Sequence, residues 1–277
     1  MAKALGLIGN FKGKLGNTVG YSLKDSNNKQ TQGVRVYQPV VRNPKTAAQA
    51  EQRAKLAPIN ATYRALKMVI DRGQEGKAYG NKSRLAWLSA AMKAFNGGWF
   101  EKGAVIDYPA LVPLTKGSLN NPLVLQSNFA DMDFEVSGIS AAETNTIGKL
   151  STALLAQFST LKDGDQLTFV MVFTTNTGMG SQVQSLVIDT SSNSALPSWI
   201  SVGTGNVQIS YGNEEVVAGA IILSREGDNG AHLRSAESLI SSENYSTDTL
   251  APAAKEAAIE SYMSQGANTD WAEESLM

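Results

Sequence analysis

Val216-Val217-Ala218-Gly219-Ala220-Ile221-Ile222-Leu223 is the most apolar stretch of the chain. At this length it falls far short of the roughly 18 apolar residues that a membrane-crossing helix needs. A short unbroken apolar run fits a buried strand instead. Further strand signals precede it at 122–126, 132–137, 166–175, 182–188 and 207–211. One amphipathic helix interrupts them, with Ile147, Leu150, Leu154 and Leu161 at helical spacing. A last helix is predicted to begin near Pro252, a favourable first helical residue, and to end at Gly266. Residues 117–277 are therefore expected to form an antiparallel sheet or sandwich with one or two helices.

Upstream the pattern changes. Gly6, Gly9, Gly13, Gly16 and Gly20 recur at spacings of 3, 4, 3 and 4, which in a helix would cost about 1 kcal/mol per glycine relative to alanine. Bulges, turns and close backbone approach are the better reading. Residues 18–23 and 34–37 read as two strands of a hairpin joined by the polar loop 24–29. Thr46-Ala47-Ala48-Gln49 matches a capping box. The helix that follows is expected to kink or restart at Pro58 and to run on to about Asp71. A second helix, about 82–95, carries Leu85, Leu88, Met92 and Phe95 as an apolar face and stops at Gly97-Gly98. Trp87 and Trp99 read as core or rim. Pro109, Pro113 and Pro122 mark the expected boundary between a basic glycine-rich hairpin-and-helix domain, 1–116, and an acidic, mainly β domain, 117–277. The fold class is α+β.

Charge supports that division. Residues 1–116 carry 19 Lys/Arg and 6 Asp/Glu, a net +13, whereas residues 117–277 carry 5 and 19, a net −14. So large an asymmetry suggests a polyanion partner or self-association through opposite charges. The opening residues are too short and too glycine-interrupted for a signal-peptide core.

Chemistry is mostly excluded. Zero cysteines remove disulfides, thiolate nucleophiles and Cys-based metal sites, and a single histidine, His232, removes any site needing two imidazoles. Gly9-Asn10-Phe11-Lys12-Gly13-Lys14-Leu15 has three residues between its glycines where a phosphate loop has four, and Leu where that loop has Ser or Thr. Gly178-Met179-Gly180 and Gly203-Thr204-Gly205 lack the third glycine of a dinucleotide fingerprint. Asp131, Asp133 and Glu135 alternate on one strand face but lack the glycine and the glutamate of a calcium loop. Asp228, His232 and Ser235 invite a triad reading, yet Asp228-Asn229-Gly230 reads better as a hairpin turn. No enzyme and no cofactor are expected.

The basic half gives the one positive signal. Lys12, Lys14, Arg35 and Arg42, with Tyr21 and Tyr37 interleaved, suit contacts to a polyanion or a partner protein, and Arg53 and Lys55 extend that surface along the first helix.

Gly13-Lys14-Leu15-Gly16-Asn17-Thr18-Val19-Gly20-Tyr21, followed by Val34-Arg35 and Asn43-Pro44-Lys45-Thr46-Ala47-Ala48-Gln49-Ala50-Glu51-Gln52-Arg53, resembles an uncharacterised domain-of-unknown-function family of Bacteroidota and their phages. Similar openings occur in small phage virion proteins. Ile106-Asp107-Tyr108 with Lys116-Gly117-Ser118-Leu119 resembles the family's mid-chain signature. Gly219-Ala220-Ile221-Ile222-Leu223-Ser224-Arg225 with Leu233-Arg234-Ser235 resembles its C-terminal strand pair. The resemblance implies no catalytic residue. The expectation is a non-enzymatic phage structural or assembly protein, made in the host bacterial cytoplasm, carried in the virion and bound to itself or to other virion proteins, with no membrane partner. The alternative is a single-stranded DNA-binding accessory protein whose acidic tail, 270–277, binds partners.

Overall fold

Three strands open the chain: β1 (Gly13–Leu15), β2 (Thr18–Lys24) and β3 (Gln30–Val36), paired antiparallel in the order β1-β2-β3. The computed structural model describes residues 13–24, 30–37, 46–126, 132–210, 215–227 and 230–264. These divide into two compact units, Met1–Lys45 and Thr46–Met277. In the first unit the predicted hairpin is present, with its second strand starting at Gln30, and β1 adds an edge strand. Gly16-Asn17 turns β1 into β2, closed by the Thr18 hydroxyl donating to the Leu15 carbonyl at 2.8 Å.

The second unit continues with α1 (Ala47–Ala65), α2 (Lys67–Ile70), α3 (Asn81–Ala94), β4 (Met132–Glu135) and α4 (Ile147–Gln157). Then come β5 (Gln166–Thr175), β6 (Gly178–Val187), β7 (Ile200–Val202), β8 (Asn206–Ile209), β9 (Val216–Glu226), β10 (His232–Arg234), β11 (Ile240–Ser241) and α5 (Pro252–Ser264). The main sheet has the order β10-β9-β5-β6, with β11 pairing further along the same side of β9 as β10, so that residues 232–241 form a broken fourth strand. A smaller sheet has the order β4-β8-β7, and every strand pair is antiparallel.

The apolar run that fills β9 is explained by burial on both of its faces. Ile221 and Leu223, with Leu167, Phe169 and Met171 of β5, point into a core closed by β4, β8 and the Leu150 and Leu154 side chains of α4. Ala218, Ala220 and Ile222, with Val170 and Val172, point the other way, onto Ile59, Leu66, Ile70, Trp87 and the extended residues Ala110, Val112 and Leu114. Alternation breaks once: Val172 pairs with Ala218 but Phe173 with Val216, so Val217 is an inserted bulge residue. That insertion puts Val217 and Ala218 together on the helix-facing side while Val216 stays on the other.

This second core corrects the expected boundary at 116/117. The helices of residues 46–116 cover a sheet made entirely from residues 117–277, and no separate basic and acidic domains exist within the second unit. The proline-containing stretch expected to mark that boundary is a core-lining segment. The Trp87 indole donates to the Pro113 carbonyl at 2.8 Å and the Tyr245 hydroxyl to the Pro109 carbonyl at 2.9 Å. Leu114 donates its backbone N–H to Glu237, and Leu119 to Arg234. The Glu75 carboxylate accepts from the Ser118 amide and hydroxyl and from the Arg234 amide. Burial pushes the Glu75 pKa up, but those donors and the Arg234 charge outweigh it and hold the carboxyl below its ordinary value.

Local expectations were met unevenly. Thr46 caps α1 by accepting from the Gln49 amide at 3.3 Å, but Gln49 Oε1 is buried without a partner, so the reciprocal half of the capping box is not made. Pro58 lies inside a continuous α1, and the Thr62 hydroxyl donates back to its carbonyl. On α3 the buried stripe is Ser83, Trp87 and Ala91, while Leu85 is 55% exposed. Residues 122–126 form no strand, although Leu123 and Leu125 are buried. Leu161 joins the core from beyond the end of α4.

Candidate assembly interface

The register of the first unit decides where its side chains go. Lys14 pairs with Val19 and Val19 with Arg35, so these three residues share one face of the sheet. Tyr21 follows Val19 by two residues, and Tyr37 follows Arg35 by two, which extends the same face. The Tyr21 ring lies across Gly33, its cross-strand partner, where an added Cβ would sit 2.5 Å from the ring. Lys14 Nζ stands 3.7 Å from the centre of the Tyr37 ring, and the Tyr37 amide donates to Asn17 at 2.8 Å, which anchors the end of the strand. A cation on an aromatic face at an exposed site is worth about 0.5–1 kcal/mol.

The opposite face carries Leu15, Val34 and Val36, exposed by 54%, 37% and 66%. Gly20 is the one buried residue among those of this unit whose exposure is described. A three-stranded sheet needs an apolar face against something to be stable. This one presents apolar side chains to solvent on one side and a basic, aromatic surface on the other.

The structure therefore brings together four of the eight candidate contact residues: Lys14, Tyr21, Arg35 and Tyr37. Lys12 and Arg42 lie outside the described residues. Arg53 is exposed on α1. Lys55 is engaged within the second unit, 3.0 Å from Glu51, which also pairs with Lys255 at 3.4 Å. Both lysines lie over the Trp99 ring. The hydrogen bond from Lys55 is the largest influence on Glu51 and, with Lys255, holds its carboxyl below the ordinary range against a smaller effect of burial.

Among the described residues, no catalytic set is assembled at His232. The hairpin between β9 and β10 is present, with the Gly227 amide donating to Ala231 and the Gly230 amide to Gly227, while Asp228 lies outside the described residues. His232 is exposed, its ring 6.4 Å from that of Tyr79. The Ser235 hydroxyl is buried and accepts from the Leu223 amide at 3.0 Å. His232 borders an open cleft of about 890 Å³ where α1 and α2 leave part of the main sheet uncovered, lined among others by Arg72, Tyr79, Thr168, Ser185 and Arg234. In the small sheet, Asp133 and Glu135 sit on β4; Asn206 donates to Asp133 at 3.2 Å, and Asp131 is outside the described residues.

One surface was missed by the sequence reading. On α5, Ala254, Ala258 and Tyr262 pack against Ala54 of α1 and Trp99. The other side of the helix carries Glu256, Ile259, Glu260 and Met263, which line a shallow groove of about 480 Å³. Their spacing of 3, 1 and 3 residues was legible as a helix stripe.

Among the described residues there is no group of three or more His, Cys, Asp or Glu placed to hold a metal ion, and no helix is long and apolar enough to cross a membrane. Comparison with family models, with curated proteins and with solved structures returns no match.

Proposed function

We propose that this protein is a non-enzymatic structural or assembly component of a phage virion, associating with itself or with other virion proteins through its N-terminal sheet. The observation that carries the reading is the two-faced sheet of the first unit, with Leu15, Val34 and Val36 exposed on one side and Lys14, Arg35, Tyr21 and Tyr37 on the other. A sheet this small, with apolar residues on its surface, is completed by a partner. The family resemblance supplies the setting. The test is quantitative mass spectrometry of gradient-purified particles. A fixed copy number of the chain per particle, unchanged by nuclease, supports the reading, and its absence from intact particles overturns it.

The same basic, aromatic face favours one alternative, binding of single-stranded DNA by phosphate contacts and base stacking. Submicromolar binding of a single-stranded oligonucleotide at physiological salt, with a log–log salt slope of roughly −0.7 per phosphate neutralised, would select it. Loss of that binding in Tyr21→Ala and Tyr37→Ala would place the bases on those rings.

A further inference from the structure

We infer that the partner of the N-terminal sheet is the outward face of α5 on a second copy of this chain, in a head-to-tail contact. The inference rests on the assembly reading above and names its occupant. The α5 stripe has an apolar centre, Ile259 and Met263, the latter 40% exposed, set between Glu256 and Glu260. Among the described residues neither glutamate has a cation within ion-pair distance. The sheet face that carries Lys14 and Arg35 is its complement, with Val19, Tyr21 and Tyr37 as apolar surface between positive charges. Methionine against tyrosine rings and carboxylates against Lys and Arg is a matched pair of surfaces.

Net charge chooses between the possible copies of the contact. Residues 1–45 hold eight Lys/Arg and one Asp/Glu, whereas residues 46–277 hold 16 and 24. Two N-terminal sheets facing each other would bring together units of +7 each, which repel. A sheet against the second unit of another copy brings +7 to −8. Such a contact joins two different surfaces, so each added copy leaves one sheet and one α5 free, and the assembly grows as a ring or a filament.

The experiment is sedimentation velocity on the full chain at tens of micromolar. One variant carries Lys14→Glu with Arg35→Glu, and another carries Glu256→Lys with Glu260→Lys. Wild type is expected to form species larger than a dimer that dissociate as salt rises. Each variant alone is expected to associate at least about tenfold more weakly, because every reversal replaces an attraction by a like-charge contact. Mixed in equal amounts, the two variants should regain the larger species, since the unchanged sheet of one meets the unchanged α5 of the other and the reversed sheet meets the reversed α5. A chain carrying all four reversals should regain the larger species. Glu256→Gln with Glu260→Gln, read beside the circular-dichroism melt, separates loss of contact from loss of fold. A wild type that stays monomeric overturns the inference and leaves association with other virion proteins standing. Association insensitive to the α5 variants, or a mixture that associates no better than either variant alone, overturns it as well.

Discussion

Cutting the chain between residues 116 and 117, where charge and prolines suggest a boundary, should give two fragments that do not fold on their own. From residues 46–116, seven large side chains, Ile59, Leu66, Val69, Ile70, Trp87, Val112 and Leu114, are buried in a core whose other half is Val170, Val172, Val217, Ile222, Leu239 and Tyr245. At roughly 1.5–3 kcal/mol for each fully buried large side chain, the first set alone represents about 10–20 kcal/mol. Contacts kept among the helices and compaction of the unfolded chain reduce that figure. Half of it still matches the whole net stability of an ordinary domain, about 5–15 kcal/mol. The cut also separates Glu75 from Arg234 and Trp87 from the core residues it packs against in the sheet. A fragment spanning 46–277 should instead unfold in one cooperative transition near that of the full chain. Urea denaturation followed by tryptophan fluorescence, with amide dispersion in a two-dimensional NMR spectrum, reads all three. A cooperative transition and dispersed amides in the 1–116 fragment would refute the shared core.

Three further outcomes follow from single contacts. Arg225 grips the 1%-exposed Asp165 side chain through two nitrogens, each 2.6 Å from a carboxylate oxygen. Arg225→Ala should cost about 3–5 kcal/mol in urea denaturation by stranding a buried charge, and a loss below about 1 kcal/mol would show that water reaches the carboxylate. Gly117→Ala should destabilise by at least about 2–3 kcal/mol, because the new Cβ would overlap the Arg234 backbone carbonyl; a melting temperature like that of wild type would contradict the packing of this segment. Burial, aided by neighbouring Tyr108, pushes the Tyr245 phenol up to about 12. The native state thus holds a proton that the unfolded chain releases near its ordinary pKa of about 10, so stability is full below that pH and falls as pH rises towards the native value. Tyr245→Phe should flatten that alkaline fall, measured as melting temperature against pH, and an unchanged slope would remove Tyr245 as its cause.

The fold was legible where burial is imposed by a single strand or helix. The strand at 166–175 and the run at 216–223 announce themselves because both of their faces are covered, and Thr46 and Pro252 mark helix starts, the first through its capping hydroxyl and the second through its fixed φ. The boundary failed because proline and glycine signal both a linker and an extended segment laid on a core. The alternation of buried Ala110, Val112 and Leu114 was the available clue. Leu85 misled because helical spacing locates a stripe but not the direction of the core, which on α3 lies along Ser83, Trp87 and Ala91. Half of the candidate contacts could be placed from period-two strand geometry alone. The fate of Lys55 could not, because Glu51 is its helix neighbour but Trp99 and Lys255 reach it only through tertiary packing.

The shared core also changes what the charge asymmetry can mean. The positive excess of residues 46–116 folds together with the acidic remainder in one compact unit. What remains as a separate positive body is the first 45 residues, at +7 against −8 for the rest. A unit of net −8 repels nucleic acid, so a DNA-binding reading would have to rest on the small sheet alone and work against the field of everything attached to it. Association between copies has no such conflict, because the field that repels a polyanion attracts the +7 unit of a neighbour. Both readings predict weakening by salt, since the Debye length shrinks from about 10 Å at 0.1 M to about 3 Å at 1 M. They part on the sign of a second perturbation. Neutralising Glu256 and Glu260 should strengthen DNA binding by reducing repulsion, yet weaken association between copies by removing its receiving charges.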